Sequence, residues 1–417
     1  MSKVFKFGGA SVKNAKAIIN LKNIVFSYKE SLIIIVSAID KTTNELEGVW
    51  RSFVKKNSND AIKKANESIK FHKSIIEELG LNSDYEFFSF FKKLTQELLL
   101  FLSAGPKKND DLSYSKIVSF GELFSTLIIS TYLKKKGLKN QWIDARTLIK
   151  TSNQFLESKV NWQATNNEIN RTIDQNITYV SQGFIGANQT GETTTLGREG
   201  SDFTAAIFAW CLDSKEVIIW KDVDGLLNAD PKYFNNTKVL KSISFKEAIE
   251  LSYLGASVIH QNTIKPLENK NIPLSIRSFI NTNNSGSYIK EIVESKEKIT
   301  SIIYKPNQVL LSISTRDYSF IFEEHISEIF SIFSKIGLKV HLMQNSALSF
   351  SVCGIISNKN LLILVAELQK NYIVKYNNKV NLLTIRNFKN LDIPKSLKDQ
   401  EILIQQRSRA TIRYVLK

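Results

Sequence analysis

Thr193-Thr194-Thr195-Leu196-Gly197-Arg198-Glu199-Gly200-Ser201-Asp202 is the stretch from which the rest of the chain can be read. It follows a strand-like run, Tyr179 to Ile185, and leads into the apolar-periodic segment Phe203 to Leu212. Three hydroxyls, two glycines, an arginine and a carboxylate are thus expected in a tight turn before a helix. A helix N-terminus offers unpaired N–H groups and the positive end of the dipole, which suits an anion. Arginine adds a planar fork for a carboxylate or phosphate. Ordinary helix capping explains Ser201 and Asp202. It does not explain the threonines or the arginine between two glycines.

The chain has 417 residues, enough for more than one domain, and at 43% hydrophobic content it can bury large cores. Its two cysteines, Cys211 and Cys353, lie far apart in apolar surroundings, which argues against a disulfide framework and for a reducing compartment. The N-terminus lacks the apolar core of a signal peptide, and no apolar run reaches the length of a membrane span. A cytoplasmic protein is expected. The net charge of +16 comes from short lysine pairs spread over helical stretches, such as Lys55-Lys56 and Lys92-Lys93. There is no basic stripe with interleaved aromatics, so the charge reads as solvated helix faces and not as a nucleic-acid surface.

Working outward, Val4 to Phe7 reads as a buried strand ended by Gly8-Gly9, with a helix after Ser11. Strand, glycine turn and helix can cradle a phosphate. Leu32 to Val36 is a continuous apolar run that suits a buried parallel strand. Two helices occupy residues 59–103, with His72 on an apolar face as a packed residue. The segment after Gly121-Glu122 reads as a helix to Leu133. A strand at Val217 to Trp220 runs into Lys221-Asp222-Val223-Asp224-Gly225, and Asp230-Pro231 marks a turn. A loop at the carboxyl end of such a strand is where open α/β sheets place ligands. Strands and helices alternate to about residue 290, which predicts a mostly parallel open sheet sandwiched by helices. After a breaker-rich stretch, Asn281 to Ser287, the pattern becomes β-α-β-β-α-β, a ferredoxin-like α+β unit. Two tail strands follow, at 401–405 and 410–416.

These motifs together resemble the aspartate kinases of the amino-acid kinase superfamily. The matching segments are Lys6-Phe7-Gly8-Gly9-Ala10-Ser11, Val36-Ser37-Ala38 with Thr43-Asn44, Phe120-Gly121-Glu122, Gln182-Gly183-Phe184-Ile185-Gly186, Thr193 to Asp202, and Lys221 to Gly225 with Asp230-Pro231. Each alone is weak, but the ordered set is specific. The resemblance implies an amino-acid kinase catalytic domain over 1–290. It also implies an ACT-type regulatory or dimerisation domain over 300–417, with a reduced second module.

The implied reaction is phosphoryl transfer from Mg·ATP to the side-chain carboxylate of L-aspartate. The product would be 4-phospho-L-aspartate, the first step toward lysine (through diaminopimelate), threonine and methionine. ATP and Mg²⁺ are the implied cofactors, the magnesium held mainly by nucleotide phosphates and no protein metal site expected. A homodimer or higher oligomer through the ACT domains is implied, with no nucleic-acid or membrane partner. With residue 417 as the last, a monofunctional enzyme is expected.

The resemblance assigns Lys6 and Asp202 as catalytic. Thr43, Glu122, Arg198 and Ser201 would bind the substrate amino acid. Gly8, Gly9, Ser37, Lys221, Asp222 and Lys232 would bind nucleotide. Other readings stand beside these: Glu122 as a cap for the helix that follows it, and Asp222 and Asp230 as turn residues. An amino-acid kinase for a different acid, or a ligand-binding protein with a decayed kinase portion, are the competing functions. The intact Lys6, Arg198 and Asp202 oppose the second.

The sequence departs from the family pattern in several places. Ala10 replaces a threonine, Leu227 a residue that is often tyrosine, and Ser257 a lysine that can assist the ATP phosphates. Glu199 stands where glycine is common. A carboxylate pointing into an anion site is unfavourable, so Glu199 is expected to face solvent or a lysine. In the C-terminal unit, His341 and Ala347 replace acidic residues, which predicts weak or absent feedback by lysine or threonine.

Overall fold

The computed structural model describes residues 2–106, 109–255, 259–291, 299–317, 319–388 and 400–417. The readings made at Ser257 and Val258, at Lys107 and Lys108, at Tyr318 and through most of the charged run at 290–298 fall outside them. Two compact units result: residues 1–226, 239–252 and 258–294 form the first, and residues 227–238, 253–257 and 295–417 the second.

The first unit runs in order β1 (Lys3–Phe7), α1 (Ala15–Phe26), β2 (Leu32–Val36), α2 (Thr42–Val54), α3 (Ser58–Glu78), α4 (Tyr85–Ser103) and α5 (Asp110–Lys135). It continues with β3 (Asn140–Ile143), α6 (Ala145–Leu148), α7 (Trp162–Thr172), β4 (Thr178–Gln182), β5 (Ile185–Ala187), β6 (Thr193–Thr195) and α8 (Gly200–Cys211). The last elements are β7 (Glu216–Lys221), β8 (Ser242–Ser244), α9 (Phe245–Leu254), α10 (Gln261–Asn269), β9 (Leu274–Ser278) and β10 (Ser287–Lys290).

Eight strands form one sheet in the order β3-β4-β2-β1-β7-β9-β10-β8. The pairings from β3 through β9 are all parallel, and β10 runs antiparallel to β9. Consecutive residues of β1 and β2 are buried, and because neighbouring side chains point to opposite faces, both faces are covered. The chain leaves β1 for β2 on one side and reaches β7 on the other. This is the strand reversal that opens a crevice at the carboxyl ends.

Three sequence expectations change here. The helix expected after Glu122 begins twelve residues earlier, at Asp110, so Glu122 lies in mid-helix and caps nothing. Asn109 is the cap instead, its Oδ1 accepting the Leu112 N–H at 3.1 Å. Periodicity failed because α5 is buried on nearly every side and has no polar stripe to reveal it. By length and composition α5 could cross a membrane, contrary to the reading that no apolar run was long enough; 94% of its apolar window is buried inside the structure. Thr193–Thr195 is not part of a turn but a strand. It pairs antiparallel with β5, and the expected run from Tyr179 to Ile185 breaks at Gly183-Phe184. His72 is packed as expected: fully buried, with Nδ1 2.8 Å from the Ser68 carbonyl, and burial drives its pKa down to about 4.

The second unit contains β11 (Ser301–Thr315), α11 (Glu323–Ile336), β12 (Lys339–Asn345), β13 (Phe350–Ile355), α12 (Asn358–Leu368), β14 (Tyr372–Arg386), β15 (Ile402–Arg407) and β16 (Thr411–Leu416). Its antiparallel sheet has the order β12-β13-β11-β14-β16-β15. The first four strands with α11 and α12 are the expected β-α-β-β-α-β unit. Among its described residues the tail adds two strands to the same sheet. β16 pairs with the far half of β14, at Asn381–Arg386, and β15 closes the edge. The register between β11 and β14 slips between Lys305 and Leu310. There Asn307 and Lys379 both take left-handed backbone, with φ of 56° and 57°. One sheet thus has two halves, of which the first carries the helices and the main apolar cluster around Leu311, Ile329, Phe333 and Leu364.

Candidate active site

A cavity of about 280 Å³ lies in the first unit, lined by Lys6, Ser37, Thr43, Glu122, Phe184, Gly197, Glu199, Gly200, Ser201, Asp202 and Lys221. Seven of the residues singled out from the sequence meet here: Lys6, Ser37, Thr43, Glu122, Ser201, Asp202 and Lys221. The sheet brings three of them together. Lys6 is near the end of β1, in register with Ile35 of β2 and Ile219 of β7. Lys221 ends β7, and Ser37 follows β2, its N–H on the Phe7 carbonyl at 3.0 Å.

Two lysines hold the buried carboxylate of Asp202. Lys6 Nζ is 2.6 Å from Asp202 Oδ1, and Lys221 Nζ is 3.8 Å from Oδ2. Burial alone would raise the Asp202 pKa, but the two ammonium charges outweigh it and hold the carboxyl below its ordinary value. Two cations around one anion leave the Lys6–Asp202–Lys221 group net positive, while Glu199 adds a further carboxylate to the lining.

Glu122, in the same lining, is 2% exposed, and among the described residues its Oε2 has no hydrogen-bond partner. Burial pushes its pKa up to about 8, against hydrogen bonds to the backbone at Glu122 and Ala38 and to the Thr43 side chain. Gly121 is what lets α5 approach so closely. A Cβ there would lie 3.0 Å from Ala38 Cβ and 3.2 Å from Thr42 Cγ2. Buried Gln182 steadies the same turn: its Nε2 donates to Thr126 Oγ1 at 2.7 Å, and that hydroxyl donates to the Glu122 carbonyl at 2.8 Å.

Gly8 and Gly9 lead from β1 into a short 3₁₀ turn, Gly9–Val12, closed by the Ser11 N–H on the Gly8 carbonyl. A Cβ on Gly9 would lie 2.8 Å from the Asp40 carbonyl oxygen and 2.9 Å from that of Ala38, so only glycine fits. Neither glycine lines the cavity, although Gly8 adjoins the Lys6 ammonium.

Arg198 and Asp222 are not brought into the cavity. Arg198 is exposed, set between Gly197 at φ 76° and Glu199 at φ 52°, and among the described residues it forms no ion pair. Asp222 is exposed in the loop after β7. Lys232 is exposed in the second unit, its N–H on Asp230 Oδ1 at 2.9 Å, so Asp230 serves a turn. The three threonines also stay out. Thr194 Oγ1 lies 2.8 Å from Thr151 Oγ1, and Thr195 Oγ1 donates to the Phe155 carbonyl. They fix the β5–β6 hairpin.

Glu199 is half-buried, and among the described residues it forms no ion pair with a lysine. Its Oε2 accepts the backbone N–H of His260 at 2.9 Å. Sequence reasoning also missed Phe184, a lining residue at φ 70°. Left-handed backbone is rare for an aromatic residue and has no signature in the sequence. Here it is enforced by the Thr204 Oγ1 that accepts the Phe184 N–H at 3.0 Å and by the Leu196 N–H on the Phe184 carbonyl at 2.8 Å.

Comparison with known proteins agrees with this architecture. Residues 1–278 match the model of the amino acid kinase family. Aspartokinase 1, chloroplastic, of Arabidopsis thaliana is 32% identical over 84% of this chain and 62% of its own length. The aspartokinase of Chlamydia muridarum is 32% identical over 74% of this chain and 68% of its own. Against the three chloroplastic aspartokinases of A. thaliana, this chain spans 62% to 65% of the relative's length. The fold matches that of E. coli aspartokinase III, solved in complex with aspartate and ADP, with a TM-score of 0.84 at 24% identity over all of this chain and 96% of that one. The chain belongs to the amino acid kinase family, among its aspartokinases.

Proposed function

We propose that this chain transfers the γ-phosphoryl group of Mg·ATP to the side-chain carboxylate of L-aspartate, giving 4-phospho-L-aspartate and ADP. The observation that carries the reading is the pairing, in one cavity, of a cationic centre with a buried acid. Lys6 and Lys221 flank Asp202, and Glu122, in the same lining, holds an oxygen unpartnered among the described residues. An amino acid with a second carboxylate satisfies both ends. Its ammonium pairs with Glu122, and its side-chain carboxylate points toward the lysines.

The acceptor oxygen is already anionic, so no general base is needed. It attacks the γ-phosphorus, the bond to the bridging oxygen breaks, and that oxygen leaves on ADP. Positioning and charge neutralisation supply the acceleration. Lys6, held by Asp202, is proposed to neutralise the transferring group, and Lys221 the nucleotide side. The Gly8-Gly9 turn offers backbone N–H groups to the phosphates. Ser201 and Thr43 give hydroxyls to the amino acid; Arg198, exposed on the flanking turn outside the cavity, remains a proposal for a substrate carboxylate. Asp222 and Lys232 remain proposals for the nucleotide side.

Mg²⁺ enters on the nucleotide's phosphate oxygens. Among the described residues no group of three His, Cys, Asp or Glu side chains forms a metal cluster, and Asp202 is taken by lysines. We further propose a cytoplasmic setting, which suits two buried free thiols, and a homo-oligomer built through the C-terminal sheet. Weak feedback by lysine or threonine fits His341, whose Nδ1 is 2.7 Å from Gln308 Oε1.

A hydroxamate assay with Mg·ATP and individual acids tests the function. Acyl phosphate from L-aspartate is the expected result. Product from glutamate alone would move the chain to another acceptor, and no turnover with any acid would refute the kinase reading.

A further inference from the structure

Glu199 sits at the cap position before α8, with φ 52° and ψ 29°. A glutamate in left-handed backbone is strained, and such strain persists only where surrounding contacts over-determine it. Those contacts are visible on both sides. The Glu199 carbonyl accepts N–H groups from Asp202 at 3.0 Å and Phe203 at 3.1 Å, closing the first turn of α8. Its carboxylate Oε2 accepts the His260 N–H at 2.9 Å. His260 in turn caps α10, with Nδ1 accepting the Asn262 N–H at 3.3 Å and its carbonyl the Thr263 N–H at 3.0 Å. The residue also lines the cavity, together with Lys6, Lys221, Glu122 and Asp202. Among the described residues it forms no ion pair.

We infer that Glu199 is a positioning residue for the amino-acid substrate. Its carboxylate clasps the start of α10 to the turn before α8, and that fixes Arg198, Ser201 and the first turn of α8 in the register the substrate needs. The role in turnover rests on the aspartate kinase reading; the clasp itself rests only on the geometry. A glycine at this position adopts the same backbone without strain but provides no carboxylate. Glutamine keeps a carbonyl oxygen that can accept the same N–H. The two substitutions therefore separate the clasp from the backbone conformation and from the charge.

Glu199→Gly and Glu199→Gln are compared in the full chain by steady-state kinetics and by hydrogen exchange at the His260 amide. In Glu199→Gly the KM for aspartate is expected to rise about tenfold while kcat falls by a smaller factor, and the His260 amide exchanges at least about tenfold faster. Glu199→Gln should recover most of both losses. Unchanged exchange in Glu199→Gly would overturn the clasp whatever the enzyme turns over. Faster exchange with an unmoved KM would overturn the positioning role. A KM in Glu199→Gln as high as in Glu199→Gly would also overturn it, because charge would then be the operative feature. If the unsubstituted chain gives no product from aspartate, the kinase reading fails while the exchange comparison still decides the clasp.

Discussion

Lys6 Nζ lies 2.6 Å from Asp202 Oδ1, one residue near the end of the first strand and the other in the first turn of α8. Both are almost fully buried, and Lys221 closes on the other carboxylate oxygen. Breaking a buried pair by removing one partner leaves the other charge uncompensated, at about 3–5 kcal/mol. Asp202→Ala should therefore lower thermal stability and reduce kcat by about 100-fold or more, because Lys6 is no longer held. Asp202→Asn should retain more stability than activity. The pH dependence follows from the depressed carboxyl. Above its ordinary value of 3.8 the pair contributes fully, and that contribution is lost as pH falls through the lower folded value. An Asp202→Ala variant with unchanged kcat would remove the pair from the mechanism.

Glu122 titrates in the opposite sense. Its ordinary value is 4.5 and its buried value about 8. Between the two, the unfolded chain has released this proton and the native chain keeps it. Stability without ligand therefore falls as pH rises through that window. Glu122→Gln should flatten this part of the stability profile. An ammonium beside the carboxylate favours ionisation, so aspartate binding should release a proton below pH of about 8. The KM for aspartate is then expected to fall as pH rises from about 6 to 8, by up to tenfold per unit. Glu122→Gln should raise KM by about 30-fold or more, since truncating one partner of a buried charge pair costs at least about 2 kcal/mol. The same pH slope in the variant would show that Glu122 is not its source.

Much of this site is legible in the sequence, because its parts are short motifs at strand ends. Lys6, Ser37 and Lys221 are set by parallel strands whose apolar runs are unmistakable, and the cap logic of Ser201-Asp202 located the start of α8 within a few residues. What escaped was set by tertiary contact. The beginning of α5 was lost because a helix buried all round shows no stripe. The threonines were misplaced because a three-residue strand is too short to show alternation, and hydroxyls suit a hairpin as readily as a turn. Phe184 and Glu199 occupy left-handed backbone that their residue types do not announce. Arg198 was expected inside because its chemistry suits a carboxylate, but the backbone on either side of it turns the side chain outward.

Gly183 gives the sharpest test of how the break between β4 and β5 serves the site. A Cβ on Gly183 would collide with Cβ and Oγ of Ser201 and lie 2.7 Å from its Cα. Ser201 is in the first turn of α8, one residue before Asp202, so relief requires the helix start to move. Gly183→Ala should therefore cost about 1–3 kcal/mol in stability, as overpacking does. It should also raise the KM for aspartate about tenfold or more, because Ser201 and Asp202 shift together. The collision reaches Cβ, so Ser201→Ala cannot relieve it, whereas Ser201→Gly removes the two closest contacts and leaves only the one at Cα. The double variant Gly183→Ala/Ser201→Gly should regain part of the lost stability while still lacking the hydroxyl, leaving KM raised. Thermal melts and aspartate saturation curves for the two single variants and the pair check this. A Gly183→Ala chain that melts and binds aspartate like its parent would show that α8 is free to yield, and that the close approach of Gly183 to Ser201 does not set the site.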